Sequence, residues 1–336
     1  MVLKLKAKGD KKLDSKHEMT RDELIKSYEL TDEQAMEVAE RIFNVYTYSR
    51  QALDKPYAVV VLGQAGAGKS GVMAFTENQL PNAIALDIDD LRKYHPKCQQ
   101  VKAKHPEIYE KVTGGFASKM IAILTPWLIN PELVNPNLKG KHFALILHKT
   151  RGTDEIIKDT IIPLKETGYD AILRVLAVSE LESKMSCLER SLAERDAFGC
   201  CRWVEKPYQD KHYKEIVNLS QQLVDKKLVD AVEVYTRGKV PVVPNLVYSS
   251  VANDELYQNP SMQTADGSPI IQNYNPSGYT SVKQAIDRER DKAAPEILKT
   301  YPERLEKVMK KSQHGREDEF IQELIDLQSS YQNSNQ

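Results

Sequence analysis

The sequence predicts an α/β fold: a five-stranded, mostly parallel sheet covered by helices, with a helical region before it and a loop-rich, then helical extension after it. Three observations carry that reading. Short apolar runs recur at AVVVLG (58–63), AIALD (83–87), FALILH (143–148), AILRVLAV (171–178) and AVEVY (231–235), with helical or mixed stretches between them. Strands this apolar on both faces belong inside a parallel sheet under helices. The first run passes into a glycine-rich turn and then into apolar residues at helical spacing, as AVVVLGQAGAGKSGVMAF. The text also changes character on both sides of this core, at Lys55-Pro56 and near residue 251.

Residues 1–55 form the helical N-terminal region. Thr20 with Glu23 has capping-box spacing, and Thr31 with Glu33-Gln34 offers a second helix start. Ala35, Val38, Ala39, Ile42, Phe43, Val45 and Tyr46 follow at helical intervals. The core spans 56–250, with a lid segment at about 190–207. Within it, HPEIYEKVTGGFASKM reads as a helix interrupted at Gly114-Gly115, and the stretch from Tyr109 to Lys119 is placed to line an acceptor cleft. Residues 251–336 open with NPSMQTADGSPIIQNYNPSGYTS, an extended, turn-rich segment, before helix returns in SVKQAIDRERDKAAPEIL and EDEFIQELIDLQSSY.

The 47 Lys and Arg residues nearly cancel the 48 Asp and Glu residues, so no global field draws the chain to nucleic acid or to an anionic membrane. Any anion must be held by a local site. The basic opening MVLKLKAKGDKKLDSKHE has no apolar segment behind it, and no run of about 18 uncharged apolar residues follows, which points to a cytosolic protein with no membrane partner. Cys98, Cys187, Cys200 and Cys201 show no metal-binding spacing and read as free thiols.

The turn Gly63-Gln64-Ala65-Gly66-Ala67-Gly68-Lys69-Ser70 matches the phosphate-binding loop GxxxxGK[ST], in the strand-to-helix context that such a loop requires. Its glycines let successive backbone N–H groups point at an anion, and the helix N-terminus adds partial positive charge. Lys69 then reaches the β and γ oxygens of a bound nucleotide, and Ser70 would ligate Mg²⁺. A GTPase would carry an NKxD motif, which is absent. The DAFG at 196–199 follows a polar helix, with no strand before it. A motor or transport ATPase would need a distant strand-end carboxylate and more chain. What remains is a small-molecule kinase.

Two features favour that class. The strand after the phosphate loop ends in LDIDDLRKYHP, which sets Asp87 and Asp89 at a strand's carboxyl end, where open α/β sheets bind ligands. A carboxylate there can take the proton of an acceptor hydroxyl. One of Asp87, Asp89 and Asp90 also has the position to cap a helix. Further on, Arg190 and Arg202 flank a short glycine-containing loop between the last two apolar runs, where guanidinium forks can neutralise a transferring phosphoryl group. Arg195 reads instead as surface charge.

The ordered set GQAGAGKS, DIDDLRKYHP, ALILHKTRGTDE, LAVSELESKMSCLERS, CCRWV and VYTRGKVPVVPNLVYSS resembles the zeta-toxin family of P-loop kinases over residues 58–250. The resemblance implies ATP- and Mg²⁺-dependent phosphorylation of a hydroxyl on UDP-N-acetylglucosamine or a related UDP-sugar, toxicity through cell-wall synthesis, and a small helical antitoxin as partner. It implies Asp89 as general base, Arg190 and Arg202 as the pair that grips the phosphoryl group, and Asp87, His148 and Thr150 on the acceptor. One position departs from the family. His148 stands where members carry an acceptor-binding Glu, while Thr150 keeps the threonine. A neutral imidazole donates one hydrogen bond and accepts another, whereas a carboxylate only accepts, so the hydroxyl pattern recognised should change. The alternatives are a kinase of another nucleotide metabolite, such as a dinucleotide, and a nucleotide-binding module without transfer.

Overall fold

The structure is a computed structural model describing residues 19–149, 153–199, 201–238, 243–263, 267–312 and 316–334. All the expected strands form: β1 (Tyr57–Leu62), β2 (Ile84–Leu86), β3 (Leu145–Lys149), β4 (Asp170–Leu176) and β5 (Ala231–Thr236). They are parallel to one another, and the sheet order is β2-β3-β1-β4-β5-β6. The reason they read as unbroken apolar runs is visible in β1. Its Ala58, Val60 and Leu62 enter one hydrophobic layer, and Tyr57, Val59 and Val61 enter the other.

The sheet has six strands where five were expected. The sixth, β6 (Asn245–Val251), pairs antiparallel with β5 at the sheet edge and is largely half-exposed. An edge strand solvated on one side carries polar residues, and NLVYSSV therefore lacks the apolar signal of its neighbours. A bridge between Ser249 and Tyr274 covers part of that edge.

Before the sheet come α1 (Arg21–Lys26) and α2 (Asp32–Thr47), and both capping boxes form, on Thr20 with Glu23 and on Thr31 with Gln34. Ala35, Val38, Ala39, Ile42 and Phe43 of α2 lie in the same hydrophobic layer as β1, while Val45 is exposed. Helix α3 (Lys69–Gln79) follows the phosphate loop, and α4 (Ile88–Leu91) and α5 (Cys98–Lys104) follow β2.

The next helix, α6 (Pro106–Ile129), runs through Gly114 and Gly115 without the expected break. Glycine in a helix costs about 1 kcal/mol, which tertiary packing overrides. Here the missing side chain makes room, since a Cβ on Gly114 would stand 3.1 Å from Arg92 Nη1. Among the described residues, α6 is the one helix long and apolar enough to cross a membrane. In this fold its Phe116, Met120, Leu124 and Leu128 are buried beside the sheet.

Helices α7 (Thr153–Ile156) and α8 (Ile162–Glu166), joined by a π-helical turn, lead into β4. Helix α9 (Glu180–Phe198) ends at Gly199, whose φ of 69° is the left-handed cap that the DAFG tetrapeptide supplies. Helix α10 (Lys206–Asp225) precedes β5, and α11 (Val282–Lys311) with α12 (Arg316–Ser334) forms the extension.

The extension packs on α9. Leu181, Met185, Leu188 and Leu192 bury against Tyr301, Leu305, Phe320 and Leu324. Trp203 joins this layer edge-on to Phe320, with ring centroids 5.5 Å apart, and Trp127 packs on Phe43. Arg195, read as surface charge, pairs with Glu317 and donates to the Lys311 carbonyl, so it ties α9 to the extension. Glu180, Asp210 and Glu323 converge closely enough to hold a metal. The Lys184 ammonium already fills their centre, 2.6 Å from both Glu180 and Asp210. Cys98 and Cys187 are buried free thiols, and Cys200 lies outside the described residues.

Within the sheet, fully buried Arg174 faces its register partner Glu233, with Nε 2.7 Å from the carboxylate and Nη1 2.6 Å from Thr76 Oγ1. Phe75 and Tyr235 flank the guanidinium at 5.7 and 5.6 Å. Removing one partner of a buried pair strands the other charge. Glu233→Leu should therefore lower unfolding stability by about 3–5 kcal/mol, and the double change Arg174→Met with Glu233→Leu should recover most of that loss in urea titrations.

Candidate functional site

The parallel strands β1 to β5 put their carboxyl ends on one edge of the sheet, and the phosphate loop, Asp87, Asp89 and His148 follow or end those strands there. The chain leaves β1 at Gly63 and turns through Gly66 and Gly68, which have φ of 74° and 95°. Glycine is required at Gly66 for a second reason. A Cβ there would come within 2.0 Å of the Ser183 carbonyl on α9, so the loop rests directly on that helix. Ala67 packs into the apolar layer below, and the Gln64 side chain is buried, donating to the Val178 carbonyl at 2.8 Å. The Ala65 carbonyl accepts from Gln209.

Lys69 opens α3, and its side chain folds back over the loop. Its amine donates to the carbonyls of Gly63 and Gln64 at 2.6 and 2.9 Å. Burial pushes its pKa down to about 7, and Arg190 adds to that, while Cys187, Asp87 and Asp89 oppose it. A buried amine poised between its charged and neutral forms suits an incoming anion. Ser70, one residue on, is exposed in the first turn of α3. An exposed hydroxyl beside a phosphate cradle fits a Mg²⁺ ligand.

Across the edge, β2 ends at Leu86 and Asp87 caps α4 by accepting from the Asp89 amide at 2.9 Å. The cap is therefore Asp87, and Asp90 pairs with Lys93 at the surface. Asp89 is left facing two guanidinium groups, with Arg92 Nε at 3.2 Å from Oδ1 and Arg202 Nη1 on Oδ2. Burial pushes its carboxyl up, but Arg202 and Arg92 more than offset this and hold it below the ordinary aspartate value. Arg92 is itself fixed on α6 by the Glu110 carbonyl and Thr113 Oγ1, over the space that Gly114 leaves open.

Arg202 also meets Glu194 of α9, and Arg190 Nε stands 4.0 Å from the same carboxylate. Both arginines therefore converge on the edge that carries Asp89 and Lys69. His148, at the end of β3 beside Val61, is mostly buried, with both ring nitrogens lacking a hydrogen-bond partner. Its Nδ1 is 3.5 Å from Asp87 Oδ1. Burial lowers its pKa, as does Lys69, against the pull of Asp87, which keeps the ring neutral near pH 7. Thr150 lies outside the described residues.

Two cavities open beside this cluster. One of about 280 Å³ is lined by Asp89, Arg92, Lys93, Lys102, Tyr109 and Phe198, among others. Of the stretch from Tyr109 to Lys119, Tyr109 and Glu110 line this cavity, while Lys111, Val112, Gly115, Phe116 and Lys119 line a separate one under α1. The other, of about 300 Å³, lies along the phosphate loop between Gly68, Val72, Leu176, Thr236, Arg237 and Pro244.

Sequence reasoning missed Arg92, Glu194 and Arg237. Arg237 follows β5 and grips the loop from outside, donating to the carbonyls of Gly66 and Ala67 and pairing with Glu182. Glu182 in turn meets Arg304 of α11, which also holds Glu189 at 2.7 Å. A second arginine of α11, Arg290, lies over Tyr213 and donates to Gln64 at 3.4 Å. The one available signal was the position of TRGK at a strand's carboxyl end.

Comparison with known proteins identifies the family and the fold. The Zeta toxin family model matches residues 39–245. Toxin PezT of Streptococcus pneumoniae serotype 4 is 21% identical over 233 residues, spanning 68% of this chain and 87% of that protein. Toxin zeta of Streptococcus agalactiae is 24% identical over 244 residues, spanning 72% and 82%. A solved chain from the PezAT chromosomal toxin-antitoxin system of S. pneumoniae shares the fold, with a TM-score of 0.58 at 21% identity, covering 84% of this chain and 98% of that one. On the extent of the family match, this chain belongs to the zeta-toxin family.

Proposed function

We propose that the chain is an ATP-dependent kinase that phosphorylates a hydroxyl on UDP-N-acetylglucosamine or a related UDP-sugar. The observation that carries this reading is the convergence of the buried Lys69 amine, the Asp89 carboxylate and the Arg190 and Arg202 guanidiniums on one sheet edge. The cavity at Asp89 supports the acceptor class, because Arg92, Lys93 and Lys102 suit an anionic group and Tyr109 and Phe198 suit a base or sugar face. The cavity along the loop suits the base of ATP.

In this reading the loop amides and Lys69 hold the β and γ phosphates, and Asp89 takes the proton of the acceptor hydroxyl as its oxygen bonds to the γ phosphorus. The bond to the β-phosphate oxygen breaks, and ADP leaves with that electron pair. Arg190 and Arg202 neutralise the transferring group, which requires Arg202 to turn from Asp89 to phosphate. Mg²⁺, held by Ser70, would spread charge from the β and γ oxygens. Toxicity through cell-wall precursors and a small helical antitoxin complete the proposal, supported by the names of its relatives as toxins and by the toxin-antitoxin system of its structural neighbour. His148 in place of a carboxylate favours a changed acceptor, so a dinucleotide belongs in the same assay.

Incubation with ATP, Mg²⁺ and a panel of UDP-sugars and dinucleotides, read by mass spectrometry, should show gain of one phosphate on a UDP-sugar. Phosphate on a dinucleotide alone would redirect the acceptor, and none on any would sink the kinase reading. Asp89→Asn should slow transfer by about 10²–10⁴-fold with nucleotide affinity kept, and Lys69→Ala should abolish it.

The lowered pKa of Lys69 carries its own test. Phosphates raise the amine's pKa, so between pH 7 and about 10 nucleotide binding takes up as much as about one proton, and affinity falls as pH rises through that window. Below pH 7 the amine is already charged and uptake fades. Calorimetry of ADP binding in buffers of different ionisation enthalpy measures this directly, and Lys69→Met should remove it.

A further inference from the structure

Glu194 holds Arg202 by both its backbone and its side chain. One carboxylate oxygen accepts the Arg202 amide at 2.9 Å, and the other accepts Nε at 2.8 Å and also meets Nη2. Ser191, one turn earlier on α9, donates to the Arg202 carbonyl at 2.7 Å. Arg202 is therefore fastened to α9 on both sides of its own Cα. The same Glu194 oxygen lies 4.0 Å from Arg190 Nε, near enough for the charges to attract but not for a hydrogen bond. With Nε and Nη2 occupied, Arg202 has Nη1 directed across the cleft, where it meets Asp89 Oδ2.

We propose that Glu194 is a positioning residue for phosphoryl transfer, a single carboxylate that fastens Arg202 by hydrogen bonds, lies between it and the Arg190 guanidinium, and aims the free edge of Arg202 at the reacting group. The proposal rests on the reading that these two arginines grip the transferring phosphoryl group. Two guanidiniums brought together repel each other, and each long side chain has about 2 kcal/mol of rotamer entropy to lose. A carboxylate between them offsets both costs before nucleotide arrives. Since Glu194 takes only one face of Arg202, it leaves the other for Asp89, and for phosphate once nucleotide binds. A salt bridge that merely fixed the segment 201–205 to α9 would affect stability and leave recognition of the transferring group untouched.

The test compares the full chain binding ADP and Mg²⁺ with and without aluminium fluoride, which mimics the transferring phosphoryl group. Wild type should bind ADP much more tightly with fluoride. Glu194→Ala should shrink that gain by about 10–100-fold, with affinity for ADP alone kept within about twofold. Arg202→Ala should lose the gain as well, and the double variant should be no worse than Arg202→Ala. If Glu194→Ala does not fold, Glu194→Gln keeps the shape while removing the charge and should lose the same gain. A full gain in the Glu194 variants beside a lost gain in Arg202→Ala overturns the positioning role alone. A full gain in both Arg190→Ala and Arg202→Ala overturns the underlying reading of the arginines, and no gain in wild type overturns both.

Discussion

Cationic side chains crowd the carboxyl edge of the sheet, and crowding like charges in a half-buried cleft is unfavourable unless anions intervene. The protein supplies those anions itself. Asp89 stands between Arg92 and Arg202, Glu194 between Arg190 and Arg202, and Glu182 between Arg237 and Arg304. Among the described residues, Lys69 has carbonyl oxygens as its hydrogen-bond partners, and its amine is correspondingly easy to discharge. The rest of the site's order follows from this arrangement, because each of these arginines has a carboxylate beside it that keeps it at this edge of the sheet.

That arrangement reaches well outside the loop itself. Gly66 lies against the Ser183 carbonyl of α9, Arg237 grips the outer carbonyls of the loop, and Arg237 is braced through Glu182 by Arg304 of α11. Helix α9 thus presents Arg190 and Glu194 on one side and an apolar stripe of Leu181, Met185, Leu188 and Leu192 on the other. The same helix that holds the arginines is seated by the two last helices of the chain.

What could be read from the sequence was what is local. The parallel strands announced themselves because both faces are buried, the two N-terminal helices because their capping boxes fall within four residues, and the phosphate loop because its chemistry fixes its spacing. Strand β6 escaped because an edge strand need be apolar on one side only. The continuity of α6 through Gly114 escaped because its reason is Arg92, a residue far along the chain. The partners of Asp89 and Arg202 escaped for a different reason, since Arg92 is three residues from Asp89 and Glu194 eight from Arg202. Glu194 and Arg92 are ordinary charges in the text, and only the fold brings them to the same cleft.

The apolar stripe of α9 has a practical corollary. The family match ends at residue 245, just inside the last strand, and a clone cut there would look complete by homology. Such a fragment would present Leu181, Met185, Leu188 and Leu192 to water along one helix, and would leave Lys184 with its Glu323 partner gone and Glu182 without Arg304. An exposed stripe of that kind invites self-association, so the natural boundary of the folding unit is drawn by the hydrophobic contacts of α11 and α12 and not by the extent of recognisable similarity.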